Sequence, residues 1–300
     1  MNVVRSPAEL EPSERAVAIG TFDGVHLGHR AALGKLAETG LRPTVVTFDP
    51  HPRIVLGYEV QLISSLARRL ELLEEAGVQE TLVLEFTVEV ARLEPEEFVE
   101  QILRPLGARA VVAAESFRFG RRRRGDVSLL RELGLEVLPV PIVEDVSSSR
   151  IRDLLRDGDV AAAAELLGRP AEIEGTVVAG DQRGGTLGFP TANLAVDPAL
   201  LVPAYGIYAG FAHFISPPPT PERGHHRAAV SIGVNPHYGG TDRRIEAFLL
   251  DFEGDLYGDE VRVELWRRLR DERAFGSEQE LVSQIARDVE ETRAATRPGP

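Results

Sequence analysis

Apolar positions in the first half of the chain fall into short runs separated by amphipathic stretches. The runs predict strands and are AVAIG (16–20), TVVTF (44–48), TLVLEF (81–86), ARAVVAA (108–114) and LEVLPV (135–140). The stretches repeat apolar residues every 3.6 positions and predict helices; they are about 27–38, SSLARRLELLEEAG, PEEFVEQILRPLG and DVSLLRELG. This alternation predicts a doubly wound α/β domain, in which a parallel sheet is covered on both faces and binds ligands in the loops after its strands.

The pattern changes after Gly168, Arg169 and Pro170. Short strands then follow one another: EIEGTVVAG (172–180), GIYAGFAHFI (206–215), RAAVSIGV (227–234), RRIEAFLLDF (243–252) and DEVRVELW (259–266). They predict a small antiparallel β-barrel or sandwich, with SPPPTPERGHH (216–226) as an exposed hairpin loop. A last amphipathic helix opens at Ser277 with Glu280 three residues on, which is a capping-box pattern. We place the domain boundary near residue 168, giving domains 1–168 and 169–300.

Composition narrows the classes of function. The 300 residues include 34 Lys plus Arg against 47 Asp plus Glu, a net charge of −13, and no cysteine. Disulfides, thiolate catalysis and cysteine-ligated metals are therefore excluded. A net acidic chain disfavours nucleic acid as a partner, because that binding needs clustered cations. No apolar window reaches the length of a membrane span or a signal peptide, so we expect no membrane partner and a cytoplasmic location.

The segment GTFDGVHLGHR (20–30) joins the first strand to the first helix. Its glycines permit close approach of a ligand to the backbone, and His26 and His29 fall on one face of the first helical turn. Helix N-termini attract anions, and two imidazoles add hydrogen-bonding groups. This pattern favours a site that binds phosphate. The alternatives are a metal site or a pair of structural histidines.

This segment and three others resemble the HxGH nucleotidylyltransferases, and specifically the adenylyltransferase half of bacterial bifunctional riboflavin kinase/FAD synthetases. The other three are FDPHP (48–52), FRFG followed by RRRRGD (117–126), and SSSRIR (147–152), in the family's order. Together they cover nearly the whole first domain. The resemblance implies a Rossmann-like domain that transfers AMP from ATP to FMN and releases diphosphate.

The same resemblance implies residue roles. It makes His26, His29 and Arg150 catalytic. The ATP-binding residues that it implies are Gly20, Phe22, Asp23, Gly24, Ser148 and Ser149. The serines before Ile151 also read as a plain helix N-cap, which is compatible with anion binding. The flavin-binding residues that it implies are Phe48, Asp49, Pro50, His51, Pro52, Ser116 and Arg118. Ser116 stands where the family more often has Asn or Asp.

Five arginines lie within seven residues at 118 and 121–124. In an acidic chain they are candidates for attracting anionic FMN and ATP. The alternative is a solvated charged surface.

A second candidate site lies in GTVVAGDQRGGTLGFPTANL (175–194). Thr191 and Asn193 supply hard oxygen ligands of the kind that Mg²⁺ prefers, although a turn with a buried Thr and Asn fits the composition equally well. The stretch LGFPTANL resembles the riboflavin kinase signature. The resemblance implies ATP binding by Gly180, Gly188, Pro190, Thr191 and Asn193, with the last two holding the metal. Gly185 stands where the family often has Arg.

Four further stretches extend this resemblance: PAYGIYAG (203–210), SIGVNPHYGG (231–240), RRIEAFLLDFEGDLYG (243–258) and LRDERAFGSEQEL (269–281). They imply that Glu246 is the base that deprotonates the riboflavin 5′-hydroxyl, whereas a lone strand glutamate is more often a solvent-exposed residue. They also imply that Leu269, Arg270 and Phe275 flank the flavin ring. Packing of the last helix on the barrel is the alternative for Leu269 and Phe275.

The hypothesis is a bifunctional enzyme with small-molecule substrates. Its C-terminal domain converts riboflavin and ATP to FMN and ADP, and its N-terminal domain converts FMN and ATP to FAD and diphosphate, both with Mg²⁺. The alternatives are a monofunctional riboflavin kinase with an impaired adenylyltransferase domain and a flavin- or nucleotide-binding regulator. The sequence leaves open whether the chain forms a homo-oligomer.

Overall fold

The chain divides into two compact units, Met1–Ser148 and Ser149–Pro300. A computed structural model describes residues 1–140, 143–180, 187–216, 225–234 and 243–299. The predicted Pro-rich loop at 216–226, the NPHYGG stretch (235–240) and Gly185 lie wholly or mostly outside the described residues. No helix among the residues described is long and apolar enough to span a bilayer.

The first unit is built on a parallel sheet. Within the described residues the sheet has six strands, in the order β1-β4-β3-β2-β5-β6. The strands are β1 (Asn2–Val4), β2 (Arg15–Ile19), β3 (Arg42–Asp49), β4 (Glu80–Glu85), β5 (Ala108–Ala113) and β6 (Glu136–Pro139). From β2 the chain adds β3 and β4 on one side and then β5 and β6 on the other. The strand order therefore reverses between β2 and β5, where sheets of this kind bind ligands at the carboxyl edge.

Helices cover both faces of this sheet. They are α1 (Leu27–Ala37), α2 (Pro52–Val55), α3 (Leu66–Glu75), α4 (Val88–Arg92), α5 (Pro95–Phe98) with a π-helical turn (Val99–Leu103), and α6 (Val127–Glu132). Neighbouring strand residues separate into two buried clusters: Val17 belongs to the one that contains Leu103, and Ala18 to the one that contains Leu36 and Leu72. Burial of each such Leu or Val side chain contributes about 1.5–3 kcal/mol. The predicted two-faced burial is confirmed.

The second unit contains a closed antiparallel barrel in the order β10-β11-β8-β7-β12-β9. The strands are β7 (Ala171–Val178), β8 (Ala192–Ala195), β9 (Gly206–Ser216), β10 (His225–Val234), β11 (Arg243–Leu249) and β12 (Glu260–Arg270). The helices of this unit among the described residues are α7 (Ser148–Asp157), α8 (Val160–Leu167) and α9 (Glu278–Ala294). Closure decides between the two predicted architectures in favour of the barrel, in which each described strand pairs with a neighbour on both sides.

The predicted strands all form, and two others do so that the periodicity did not indicate. β1 and β8 were missed because runs of three and four residues are too short to show a period of two. The last helix begins as predicted, since the Ser277 hydroxyl accepts a hydrogen bond from the Glu280 N–H at 3.2 Å. Helix α8 precedes the boundary predicted near residue 168, yet it lies in the second unit because it packs against β7 and β12.

Candidate active sites

The two histidines of the first motif form a stacked pair at the start of α1. His26 is the N-cap of the helix, and its Nδ1 accepts a hydrogen bond from the His29 N–H at 3.3 Å. The two imidazole rings stack with centroids 3.6 Å apart and planes 15° apart. The Phe22 ring lies against His29, with centroids 5.0 Å apart. The rings are thus oriented at the helix N-terminus by backbone capping and by aromatic packing.

The electrostatics of this pair favour a neutral His29. Burial lowers the pKa of His29 well below its usual value, and the nearby His26 and Arg69 lower it further. The Nδ1 atom of His29 is enclosed and has no hydrogen-bond partner among the residues described. A buried polar atom without a partner is costly, so this nitrogen keeps an unmet hydrogen-bonding capacity in the structure.

The loop before the histidines is held by residues about 40 positions further along the chain. Asp23 is fully buried, and its carboxylate accepts hydrogen bonds from the N–H groups of Ile63 and Ser64 at 3.0 to 3.2 Å. Gly24 has φ +81° and lies against Ile63, where an added Cβ would be 2.9 Å from its Cγ2. Val25 has φ +39°, a strained value for a β-branched residue that costs about 1–3 kcal/mol. Backbone strain at Val25, next to the predicted phosphate site, is consistent with a loop conformation that is needed for function.

The serine motif reaches this loop through one residue. The Ser148 hydroxyl donates to the backbone carbonyl of Asp23 at 3.0 Å, so Ser148 helps to fix the loop. Ser149 and Arg150 follow in the first turn of α7 and are exposed. Their contacts with ATP remain predictions.

Arg69 is a residue of this site that the sequence analysis missed. Its side chain is almost completely buried, and one guanidinium nitrogen donates to Thr47 Oγ1 at 3.3 Å and to the Phe48 carbonyl at 3.1 Å. Burial lowers the pKa of Arg69, although the carboxylates of Asp23 and Asp49 oppose that effect. The Arg69 charge therefore lies between the histidine loop and the predicted flavin side. Arg69 lies on the apolar stripe of α3 with Leu72 and Leu73, and this position in the sequence could have indicated a buried arginine.

The predicted flavin-side residues begin where β3 ends. Phe48 packs edge-on against Phe86, with ring centroids 5.5 Å apart. Asp49 forms an ion pair with Arg5 at 3.7 Å. The next residue, Pro50, follows a cis peptide bond. These contacts shape the loop, and flavin contact by Phe48, Asp49, Pro50 and Pro52 remains a prediction.

Other predicted flavin-side residues have local structural contacts. His51 is buried and caps α2, because its Nδ1 accepts from the Arg53 N–H at 3.2 Å. Arg118 folds back on its own turn and donates to the carbonyls of Glu115 and Phe117 at 3.2 and 2.8 Å. Ser116 is exposed in that turn. Such contacts fix the loops and leave the predicted flavin contacts untested.

The barrel brings together the three polar residues of its motif. Thr191 Oγ1 donates to Glu246 Oε2 at 3.1 Å. Asn193 lies directly opposite Glu246 in the pairing of β8 with β11. All three side chains are half-buried, so each keeps a surface open to solvent. Residues 53 to 55 positions apart in the chain thus form one cluster of oxygen-bearing side chains.

Glycine and aromatic residues shape this cluster. A Cβ on Gly180 would lie 2.7 Å from Asn193 Oδ1, and closer still to its Cγ and Nδ2. Only glycine therefore leaves room for the Asn193 carboxamide at this point. Phe189 packs edge-on against Phe248 of β11 at 5.4 Å and holds the segment that contains Gly188 and the exposed Pro190.

The loop after β12 is attached to α9 by a charged network. Arg270 Nε and one terminal nitrogen donate to the Asp288 carboxylate at 3.0 and 2.7 Å. Gln284 donates to the same carboxylate at 2.8 Å. The Arg270 guanidinium lies 5.7 Å from the centroid of the Phe275 ring. Leu269 packs with the buried cluster around Trp266, which fits the packing role considered as its alternative, and its contact with the flavin stays a prediction.

A parallel α/β unit with a stacked imidazole pair at a helix N-terminus, followed by a barrel with a Thr–Asn–Glu cluster, defines a two-domain nucleotide-dependent transferase. Comparisons with known proteins are specific. The FAD synthetase family model matches residues 8–152, and the riboflavin kinase model matches residues 167–296. The chain belongs to the family of bifunctional riboflavin kinase/FMN adenylyltransferases.

Individual relatives cover almost the whole chain. The bifunctional riboflavin kinase/FMN adenylyltransferase of Listeria monocytogenes is 34% identical over 93% of this chain and 92% of its own length. The protein of the same name from Escherichia coli K12 is 35% identical over 92% of this chain and 91% of its own. A crystal structure described as a macrolide-efflux protein from Streptococcus pneumoniae is 32% identical with a TM-score of 0.88, covering 98% of this chain and 99% of that one. These matches confirm the resemblance and the predicted fold.

Proposed function

We propose that the barrel phosphorylates riboflavin to FMN and that the α/β unit adenylylates FMN to FAD, each with one ATP. The observation that supports this most directly is the presence of two separate constellations in separate units. The stacked pair His26 and His29 lies in the first unit, and the Thr191–Glu246 pair with Asn193 lies in the barrel. The stacked histidines belong to the first unit and the Thr–Asn–Glu cluster belongs to the second.

In the kinase reaction the riboflavin 5′-hydroxyl oxygen attacks the γ-phosphorus of ATP. A new P–O bond forms, the bond from the γ-phosphorus to the β-phosphate oxygen breaks, and ADP leaves. Glu246 accepts the hydroxyl proton, and the hydrogen bond from Thr191 orients its carboxylate. Such a base contributes about 10²- to 10⁴-fold, because phosphoryl transfer depends mainly on positioning and charge neutralisation.

The barrel residues fit a magnesium ion that accompanies ATP. The Thr191 hydroxyl and the Asn193 carboxamide are oxygen donors, which Mg²⁺ prefers. No group of three or more His, Cys, Asp or Glu among the described residues forms an alternative metal cluster. When bound, Mg²⁺ neutralises phosphate charge. Thr191 and Asn193 would hold it, and Glu246 would remain available to take the proton.

In the adenylyl transfer an oxygen of the FMN phosphate attacks the α-phosphorus of ATP. A P–O–P bond of FAD forms, the bond from the α-phosphorus to the β-phosphate oxygen breaks, and diphosphate leaves. The nucleophile is already ionised, so no general base is required. His26, His29 and the α1 N-terminus would stabilise the charge that develops on the phosphate oxygens. Because both reactions consume ATP, we propose the cytoplasm as the location.

A product time course tests both activities at once. Purified protein is incubated with riboflavin, ATP and Mg²⁺, and the flavins are separated by chromatography; FMN should appear first and FAD later. Glu246→Gln should lower FMN formation about 10²- to 10⁴-fold and spare the conversion of added FMN to FAD, whereas His29→Ala should lower FAD formation and spare FMN formation. FMN without FAD would support a monofunctional kinase, and stoichiometric binding without turnover would support a regulator. Equal loss of both activities in either variant would contradict separate sites.

A further inference from the structure

The four consecutive arginines of the loop after β5 form two pairs that differ in their ion pairing. Arg121 and Arg124 each donate to a carboxylate oxygen of Glu94, at 2.9 and 3.1 Å. Within the described part of the chain, no ion pair or side-chain hydrogen bond involves Arg122 or Arg123. All four residues are exposed. Only the middle pair therefore has uncompensated charge.

The loop itself is pinned at both ends. Phe119 and Gly125 exchange two backbone hydrogen bonds, each 3.0 Å long. Phe119 is buried and packs against Phe98 with centroids 6.0 Å apart. A Cβ on Gly120 or on Gly125 would lie 2.7 Å from atoms of Pro95, so both glycines press against α5. The two arginines are presented by a fixed loop.

Arg122 and Arg123 both lie in the left-handed region of the backbone, with φ of +52° and +59°. This region is unfavourable for residues other than Gly, Asn and Asp, and two adjacent like charges repel each other. A loop that needed only this turn would be more stable with glycine at both positions. Strained backbone conformations persist only where the surrounding structure holds them, and they cluster at functional sites, which points to a use for the two guanidinium groups.

The position of the loop indicates which ligand it meets. β5 lies beside β2, and the strand order reverses between them. The loops that follow these two parallel strands leave the same carboxyl edge of the sheet. The arginine loop and the loop of His26 therefore leave the sheet at the edge where such sheets bind their ligands in a crevice.

We propose that Arg122 and Arg123 bind a phosphate group of the adenylyl-transfer substrates, specifically the phosphate monoester of FMN. This inference rests on the adenylyltransferase activity proposed above. A phosphate monoester has a charge of about −1.5 to −2 near neutral pH, and guanidinium groups match its oxygens in pairs. The ATP phosphates already have the stacked histidines and the α1 N-terminus. The second anion of the reaction needs its own cations in an acidic chain.

The test is the double variant Arg122→Gln/Arg123→Gln, assayed for FAD formation from FMN. Loss of two charge-assisted hydrogen bonds should raise the KM for FMN about 10- to 100-fold and leave the KM for ATP nearly unchanged. Arg104→Gln/Arg109→Gln removes the same charge near the amino end of β5, opposite the crevice, and should not raise the KM for FMN. The kinase activity of the same chain is the internal control.

Two further variants separate charge from loop structure. Arg122→Lys/Arg123→Lys keeps the charge and should recover part of the lost affinity. Arg122→Gly/Arg123→Gly relieves the backbone strain, so it should raise the Tm and still raise the KM for FMN. A purely structural role predicts an unchanged KM in this more stable variant, and that result would overturn the inference.

Arg121→Gln/Arg124→Gln distinguishes contact from general attraction. It removes the same charge and breaks the pairs with Glu94, so it should lower the Tm and raise the KM for FMN much less. An equal rise in both double variants, or a rise in the KM for ATP alone, would refute binding of the FMN phosphate by the middle pair. Wild-type protein that forms no FAD at all would refute the proposed function instead, and FMN binding followed by fluorescence quenching would still test the arginines.

Discussion

Gly180→Ala is the sharpest test of the barrel site, because it adds one methyl group at a known point. The new Cβ would lie 2.7 Å from Asn193 Oδ1 and closer to the other carboxamide atoms, whereas an ordinary contact is at least 3.4 Å. The Asn193 side chain must therefore move by about 1 Å. A misplacement of this size costs about 100-fold in rate. The φ of Gly180 lies outside the left-handed region, so alanine is compatible with the backbone.

The assay measures FMN formation from riboflavin and, separately, FAD formation from added FMN. Gly180→Ala should lower the first about 100-fold, the cost of an error of about 1 Å, and leave the second unchanged. Gly276→Ala is a matched control, since its Cβ would approach nothing closer than Glu280 Oε2 at 3.4 Å. Asn193→Ala should reduce kinase activity by a similar factor.

The double variant decides whether the methyl group acts through Asn193. With the carboxamide removed, the Cβ at position 180 has nothing left to displace, so Gly180→Ala/Asn193→Ala should resemble Asn193→Ala alone. This non-additivity is the expected behaviour of residues in contact. Wild-type kinase activity in Gly180→Ala, or two losses that multiply in the double variant, would show that the geometry of Asn193 is not what the reaction needs.

Three further predictions concern charge. Burial raises the pKa of Glu264, but hydrogen bonds from His213, Arg297 and Trp266 outweigh burial and lower it to about 2. The ionised Glu264 side chain therefore stabilises the fold fully above pH 4.5, its usual pKa, and this stabilisation is lost as the pH falls towards 2. Because the half-exposed Arg297 is screened by solvent, Glu264→Gln should lower the free energy of unfolding by about 1–2 kcal/mol at pH 7 and by less at pH 3. Urea unfolding measures this difference. Folding lowers the pKa of His29, so below pH 6.5 the unfolded chain binds a proton at this residue more readily than the folded chain does. The stability of the fold should therefore decrease as the pH is lowered below 6.5. His29→Gln should reduce this decrease in thermal melts between pH 7.5 and 5.5. Asp288→Asn should release Arg270 and raise the KM for riboflavin about tenfold, as one charge-assisted hydrogen bond would, without changing FAD formation from FMN.

Each of these predictions has a contrary result, and the first has a control variant. Glu260→Gln changes an exposed residue at the start of β12 and should leave stability unaltered. A Glu264→Gln deficit that stays constant down to pH 2 would contradict the assigned cause. A pH dependence below 6.5 that survives in His29→Gln would place it on another group. If Asp288→Asn lowers the kcat for riboflavin phosphorylation with an unchanged KM, the network does not act by positioning Arg270.

Local pattern in the sequence accounts for most of the secondary structure. Apolar alternation and 3.6-residue spacing depend on neighbours in the chain, so the strands with strong periodicity and the capped helix α9 were predictable. The two motif sets were likewise readable as residue types in order, and the family matches confirm them. Short strands with weak periodicity were not. β8 is the important case, because its pairing with β11 places Asn193 opposite Glu246.

What the sequence determined by itself is the two-part fold, the absence of cysteine chemistry and the identity of the residues around each motif. What only the tertiary structure decided is which of them meet. Arg69 is 40 positions from His29, and the fit of Gly180 against Asn193 depends on two strands packing together. The arginine run was uniform as a sequence until Glu94, brought close by α5, neutralised two of its members. Periodicity is a local property of the chain, whereas burial, ion pairing and strain arise between residues that only folding brings into contact.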